Sequence, residues 1–141
     1  MKRVFLDTNV AIDFLADRKP FSLSAAPLFG LSQVGEIKLY LSAVSYNIIY
    51  NILKQSLTPA ATLKVLNELC ELTEIADVTK VTIGAALKSD WKDFEDAIQY
   101  QSALELKKVD MLVTRNTKDF KKAILPVVTP EEALVLLQTK H

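Results

Sequence analysis

The chain has 141 residues, of which 50% are hydrophobic and 24% are charged, with only three glycines and five prolines. These values are typical of a globular domain with a full hydrophobic core, and we expect a single domain over residues 1–141. Seventeen basic residues balance seventeen acidic ones, which argues against a protein that binds nucleic acid through its overall charge. The single cysteine, Cys70, excludes an internal disulfide, and its apolar helical surroundings predict a buried, unreactive thiol.

The beginning of the chain does not resemble a targeting segment. The apolar run after Met1 is short and meets Asp7 too soon for a signal peptide. No window of the sequence approaches the roughly 18 apolar residues of a membrane span. We therefore predict a cytoplasmic protein that does not associate with a membrane.

The first half of the chain is predicted to alternate short strands with helices. The predicted strands are residues 3–6, 38–41 and 72–76, and the predicted helices are residues 9–15, 22–34, 44–54 and 59–70. Thr58 followed by Pro59 is a helix N-cap with proline at the first helical position. Gly35 provides the turn after the second helix.

The second half continues the same pattern. The predicted helices are residues 81–88, 94–107 and 130–138, and the predicted strands are residues 111–113 and 127–128. Short apolar strands separated by helices indicate an α/β protein with a parallel sheet covered on both faces. Such sheets bind ligands beyond the carboxyl ends of their strands, where the strand order reverses.

Composition also limits the chemistry available to the protein. The only histidine is the last residue, His141, which excludes a histidine-based triad or metal site. One cysteine cannot form a zinc ribbon, and the three glycines do not form a phosphate-binding loop. An enzyme of this sequence would rely on carboxylates, whose oxygens suit Mg²⁺ or Mn²⁺.

Three polar clusters begin where a predicted strand ends or a predicted helix starts. They are Asp7-Thr8-Asn9, Asp93 to Asp96, and Thr114-Arg115-Asn116 to Asp119. Each cluster alone is explained by helix capping, by the helix dipole or by a polar loop. Carboxylates that lie close together, however, raise one another's pKa unless a cation sits among them. A divalent metal resolves this repulsion and can activate water for attack on phosphorus.

The metal-site hypothesis assigns a role to each cluster. The candidate catalytic metal ligands are Asp7, Asp96 and Asp119, with Asn116 and Asp93 as further candidate ligands. The candidate residues for orienting ligands or contacting phosphate are Thr8, Asn9, Thr114 and Arg115.

Three segments, in this order, resemble motifs of the PIN-domain family. They are LDTN at residues 6–9, DAIQYQSA at residues 96–103 and TRNTKDF at residues 114–120. LDTN alone is a weak signal, whereas the three in register are fairly specific, and the resemblance extends over essentially the whole chain. By this resemblance, Asp7 and Asp96 match the first and third acids of the family. Asp119 matches the fourth acid of members that have the pattern TRN-x-x-DF. In members with an aspartate at the position of Asn116, that earlier residue is the fourth acid.

The resemblance implies a three-layer α/β/α sandwich with a parallel sheet of about five strands. It also implies a ribonuclease that depends on Mg²⁺ or Mn²⁺ and selects single strands. Many small bacterial members are VapC-like toxins of toxin–antitoxin pairs and form homodimers. The implied partners are therefore RNA, an antitoxin protein and a second copy of the chain.

One family feature is absent from the sequence. The family usually has a glutamate early in the helix after the second strand, and the matching residue here is Ile48. A nearby amide, Asn47 or Asn51, could be a weak uncharged ligand, and Asp93 or Glu95 could compensate. This departure keeps two alternatives beside the nuclease. One is a degenerate PIN module that binds RNA or protein without cleavage. The other is a generic α/β interaction domain, which would be supported if Asp7, Asp96 and Asp119 lay far apart.

Two groups of residues are candidates for contact surfaces. Lysines flank the second and third clusters at positions 88, 92, 118, 121 and 122, and they either contact phosphates or form a solvated surface. Trp91 could stack on a base, while core packing is favoured for Phe94. The helix at residues 44–54 is apolar nearly all round, which predicts burial on several sides, a homodimer face or a groove for an antitoxin helix.

Overall fold

The computed structural model describes residues 1–138, so His141 lies outside the described range. The strands are β1 (Lys2–Leu6), β2 (Ile37–Ser42), β3 (Glu74–Ala76), β4 (Met111–Val113) and β5 (Val127–Val128). The helices are α1 (Thr8–Leu15), α2 (Ser22–Gln33), α3 (Ala43–Leu53), α4 (Pro59–Leu72), α5 (Lys80–Lys88), α6 (Phe94–Leu106) and α7 (Pro130–Gln138). A 3₁₀ helix, Thr117–Phe120, follows β4.

The strands form one parallel sheet in the order β3-β2-β1-β4-β5. Val4 in the central strand pairs with Leu39 of β2 on one side and with Met111 of β4 on the other. The chain moves outward from β1 to β3 and then returns to the opposite side of β1. The strand order therefore reverses between β1 and β4, where a ligand crevice is expected.

Helices cover both faces of the sheet because alternate strand residues point in opposite directions. Val4 and Leu6 pack in a core with residues of α1, α2, α3, α4 and α7. Phe5 points to the other face, where it packs with Tyr100 of α6 and with Phe120. This is the three-layer α/β/α sandwich expected from the sequence. None of the helices in residues 1–138 is long and apolar enough to cross a membrane.

The observed boundaries differ from the predicted ones mainly between α4 and β3. Helix α4 continues to Leu72, two residues beyond the predicted end at Cys70, and β3 begins only at Glu74. Thr73 ends the helix in an extended conformation, and its hydroxyl donates to the carbonyl oxygen of Leu69. The 3₁₀ helix after β4 was not predicted, because its sequence reads as a polar loop.

Two burial predictions are wrong, and of the alternatives for the helix at residues 44–54, burial on several sides is not observed. Cys70 is exposed, because the neighbouring Leu69 takes the core-facing position of α4. Phe94 is 46% exposed, because it opens α6 one turn before the buried Ala97. Helix α3 is buried along one stripe only, formed by Ser45, Ile49 and Leu53, and its other faces are at least partly exposed.

Candidate metal-binding site

Asp7 is at the N-cap position of α1, yet its side chain makes no capping hydrogen bond. Its Oδ2 instead accepts a hydrogen bond of 2.8 Å from the hydroxyl of Thr114, the residue that follows β4. The backbone extends the pairing of β1 with β4, since the Asp7 amide donates to the Val113 carbonyl oxygen at 2.9 Å. Asp7 is only 5% exposed. The buried carboxylate is therefore tied to the end of β4.

Gln99 of α6 holds the segment around Asp7 in place. Its Oε1 accepts from the Thr8 amide at 3.0 Å and from the Thr8 hydroxyl at 3.2 Å, and its side chain also hydrogen-bonds to Asp7. Ser45 of α3 shares a 2.7 Å hydrogen bond with the Thr8 hydroxyl. Sequence reasoning missed Gln99. Its position three residues after Asp96, on the same face of α6, was the available signal.

The start of α6 brings further carboxylates to the site. Asp93 is the N-cap, and its Oδ1 accepts from the Asp96 amide at 3.0 Å, so Asp93 precedes the helix that contains Asp96. Burial raises the pKa of Asp96 to about 7, and the negative charges of Asp7, Asp93, Asp119 and Glu95 add to this effect. Burial also raises the pKa of Asp7, although hydrogen bonds from Thr114, Gln99 and nearby backbone amides oppose the shift.

These side chains line a cavity of about 280 Å³, here called the acidic cavity. Its lining residues are Asp7, Thr8, Asn9, Ile48, Ile52, Asp93, Glu95, Asp96, Gln99, Asn116 and Asp119. No lysine or arginine lines it among the residues that the structure describes. Asp7, Asp96 and Asp119 thus come together, which removes the support for a generic interaction domain.

The side of the acidic cavity formed by α3 is apolar. Ile48 and Ile52 line it, whereas Asn47 is exposed and does not. The Asn51 amide donates to the Asn47 carbonyl oxygen at 3.0 Å, within the same helix. Neither asparagine therefore occupies the place of the family's glutamate.

Arg115 lies outside the acidic cavity and is engaged within the protein. Its Nε donates to Asp13 Oδ2 at 2.6 Å and its Nη2 donates to Oδ1 at 3.2 Å. The guanidinium also lies 3.8 Å from the centre of the Phe21 ring. Asp13 is 1% exposed and binds Arg18 as well, at 2.9 Å. Arg115 thus ties the loop after β4 to α1, a role that sequence reasoning did not assign.

The donor set fits a hard divalent cation. Asp7 and Asp96 have raised pKa values, so a bound cation would favour their charged forms, and no basic side chain in residues 1–138 lines the acidic cavity. In the same range, no three acidic, cysteine or histidine side chains form a ready-made metal cage. Mg²⁺ tolerates this arrangement, since it keeps several waters and needs only one or two carboxylates.

Comparison with known proteins agrees with this geometry. A sequence model of the PIN domain matches residues 3–118. No curated protein matches the chain significantly. A toxin–antitoxin complex from Klebsiella pneumoniae contains a chain 25% identical to this one, with 90% of this chain and 97% of that chain covered and a TM-score of 0.66.

Two further structures share the fold at 15% identity. VapBC2 from Rickettsia felis, bound to a promoter DNA fragment, has a TM-score of 0.65 with 89% of this chain and 96% of that chain covered. VapC20 from Mycobacterium tuberculosis, a toxin that cleaves the sarcin–ricin loop, has a TM-score of 0.59 with 77% and 86% covered.

The parallel sheet with acids at the carboxyl ends of β1 and β4 defines a PIN-like α/β protein. Because the PIN-domain match extends over most of the sequence, the chain belongs to the PIN-domain family.

Proposed function

We propose that this protein is an endoribonuclease that uses Mg²⁺ or Mn²⁺ to hydrolyse RNA phosphodiester bonds, and that it is the toxin of a toxin–antitoxin pair. One observation carries the proposal. Asp7 is buried at the N-terminus of α1, and its charge is among those that raise the pKa of Asp96 to about 7. A fold gains no stability from such crowding, which is expected where a cation is to be bound.

Each residue of the acidic cavity has a proposed role. Asp7, Asp96 and Asp119 would hold the ion, with Asp93 and the Asn116 carbonyl oxygen as further donors. The ion would polarise the phosphate and lower the pKa of the attacking water. Thr114 and Gln99 orient the Asp7 carboxylate through their hydrogen bonds. Thr8 is fixed by Gln99 and Ser45, and Asn9 borders the cavity where it can contact phosphate.

The proposed partners follow from the similar proteins. The 25%-identical structure is a toxin–antitoxin complex, which supports an antitoxin for this chain. Helix α3 is a candidate surface for an antitoxin or for a homodimer, since Tyr46 and Tyr50 are half-buried and Ile52 is 36% exposed. An RNA substrate implies that the protein acts in the cytoplasm.

The test is cleavage of a mixed pool of labelled RNAs by purified protein in Mn²⁺. We expect cleavage that stops in chelator and in Asp96→Asn. The matched control is Asp77→Asn, which removes an exposed carboxylate outside the acidic cavity and should cleave like the wild type. Equal cleavage by Asp96→Asn and the wild type would contradict the proposal.

A second candidate function is supported by Ile48, which the resemblance matches to the family's glutamate, and by the lack of a ready-made metal cage in residues 1–138. In this alternative the chain is a degenerate PIN module that binds RNA or a protein without cleaving. Folded wild-type protein that binds RNA, but neither cleaves it in Mn²⁺ nor binds the ion, would favour this alternative.

A further inference from the structure

A second cavity, of about 460 Å³, lies beside the acidic cavity and is here called the lysine cavity. The two cavities share Asp93, Asp96 and Asp119. The remaining lining residues are Asp90, Trp91, Lys92, Lys118, Lys121 and Lys122. The shared carboxylates thus form a common wall between the two cavities. The lysine cavity falls in the size range of small-ligand sites, roughly 300–1,000 Å³.

The two sides of this wall differ in charge. Lys122 is paired with Asp90 at 2.8 Å and also donates to the Asp90 carbonyl oxygen at 3.2 Å. In the part of the chain that the structure describes, Lys92, Lys118 and Lys121 form no ion pair. The acidic cavity therefore favours a cation, whereas the lysine cavity, where four lysines balance four aspartates, has no net charge and offers an anion its three unpaired lysines.

Trp91 is held rigidly at the side of the lysine cavity. Its indole stacks on Tyr100, with ring centres 4.7 Å apart and planes at 21°, and it meets the Phe120 ring edge-on at 5.4 Å. The Tyr100 hydroxyl is itself fixed by the Ile124 amide at 2.7 Å. The indole is only partly buried, although it also packs against the cluster of Ala86, Ala97 and Ile98. An ordered and partly exposed aromatic ring suits a nucleobase.

We infer that the lysine cavity binds the nucleotide next to the scissile phosphate of a single-stranded RNA. The base contacts Trp91, and the flanking phosphates lie against Lys118 and Lys121. The RNA backbone then passes the shared carboxylates and enters the acidic cavity. The inference rests on the proposed function, because it takes the shared wall as the place of cleavage. A base inside a duplex is stacked and paired, so it cannot enter a side cavity of this kind.

The sequence offers a specific reporter for this site, because Trp91 is the only tryptophan. A single-stranded RNA of about six nucleotides, titrated in chelator to prevent cleavage, should change the tryptophan fluorescence saturably. Anisotropy of a labelled copy of the same RNA measures total binding independently. A DNA of the same sequence and the matching RNA duplex complete the set, and the duplex should leave the fluorescence unchanged.

Two double variants separate phosphate contacts from general charge. Lys118→Gln with Lys121→Gln removes two cavity lysines, whereas Lys2→Gln with Lys64→Gln removes the same charge outside both cavities. The cavity variant should bind the RNA about tenfold more weakly. The slope of its log binding constant against log salt concentration should be shallower by about 1.4, since each phosphate contact on a single strand contributes about 0.7 to this slope. The control should stay close to the wild type.

The inference fails if the RNA binds by anisotropy while Trp91 fluorescence stays constant, or if both double variants bind alike. It also fails if no binding is detected. Cleavage distinguishes these results from failure of the proposed function. Mn²⁺-dependent cleavage with a silent Trp91 would preserve the nuclease and reject the lysine cavity. A responsive Trp91 without any cleavage would preserve the cavity and favour the degenerate binding module.

Discussion

Replacing Asp96 with asparagine should stabilise the metal-free protein while removing its response to metal. The carboxyl pKa rises from 3.8 to about 7 on folding, so the folded state holds a proton that the unfolded state releases between these values. Stability contributed by this group is therefore present at low pH and is lost as the pH rises through about 7. Asparagine keeps the shape of the side chain without its charge.

The size of this change in stability follows from the pKa shift of Asp96. At 1.36 kcal/mol per pKa unit, a rise from 3.8 to about 7 corresponds to about 4 kcal/mol. Asp96 is only half-buried, and solvent screening reduces the expected effect to about 1 kcal/mol. The free energy of unfolding of Asp96→Asn in chelator should exceed that of the wild type by about this amount near pH 8, and by less near pH 5.

The assay is urea unfolding at both pH values, in chelator and in Mn²⁺. The ion should stabilise the wild type near pH 8 and have little effect on the variant, because binding to the folded state alone shifts unfolding. Asp77→Asn, an exposed control, should behave like the wild type in all four conditions. A variant that is destabilised equally at both pH values would refute the account of Asp96 as a crowded carboxylate.

Three other substitutions test separate parts of the site. Ile48→Glu adds a carboxylate to the acidic cavity, so it should bind Mn²⁺ about tenfold more tightly by calorimetry. The added charge should also lower the melting temperature in chelator. Ile48→Gln, the uncharged control, should show neither effect. Gln99→Leu should lower the free energy of unfolding by about 1–3 kcal/mol, because the buried Thr8 amide loses its acceptor. Asp13→Asn should cost about 2–3 kcal/mol in the same assay, because two arginines lose their charged partner. Unchanged stability of either of the last two variants would contradict its assigned contacts.

The sequence predicts the elements whose signals are local. Strands β4 and β5 are short apolar runs between polar residues, and both are confirmed at residues 111–113 and 127–128. The predicted start of α4 is also confirmed, and its signal is local too: the Thr58 hydroxyl caps the helix by accepting from the Ala61 amide at 3.1 Å. The parallel sheet follows from the alternation of such strands with helices.

Features that depend on distant partners are not visible in the sequence. Gln99 is one of several polar residues on α6 until Thr8, 91 positions earlier, is placed beside it. Asp13 resembles an ordinary helical acid until Arg115, 102 positions later, reaches it. The burial of Cys70 and of Phe94 could not be predicted for a similar reason, because an apolar segment does not reveal which of its residues face the core.

The acidic cavity has an apolar side at α3, where the resemblance to the family places a glutamate. Ile48 and Ile52 line this side of the cavity, and burial is the largest cause of the raised pKa values of Asp7 and Asp96. With one carboxylate fewer and no ready-made cage in residues 1–138, the cation needs oxygens from another source. Phosphate oxygens of the RNA can supply them.

We therefore expect Mn²⁺ and RNA to strengthen each other's binding, by a factor that is equal in both directions because the two equilibria are linked. Titrating Mn²⁺ with and without saturating single-stranded RNA measures this factor, and Ile48→Glu should reduce it by supplying the missing ligand from the protein. Equal Mn²⁺ affinity with and without RNA in the wild type would mean that the protein alone completes the site. The isoleucine would then be only a packing residue.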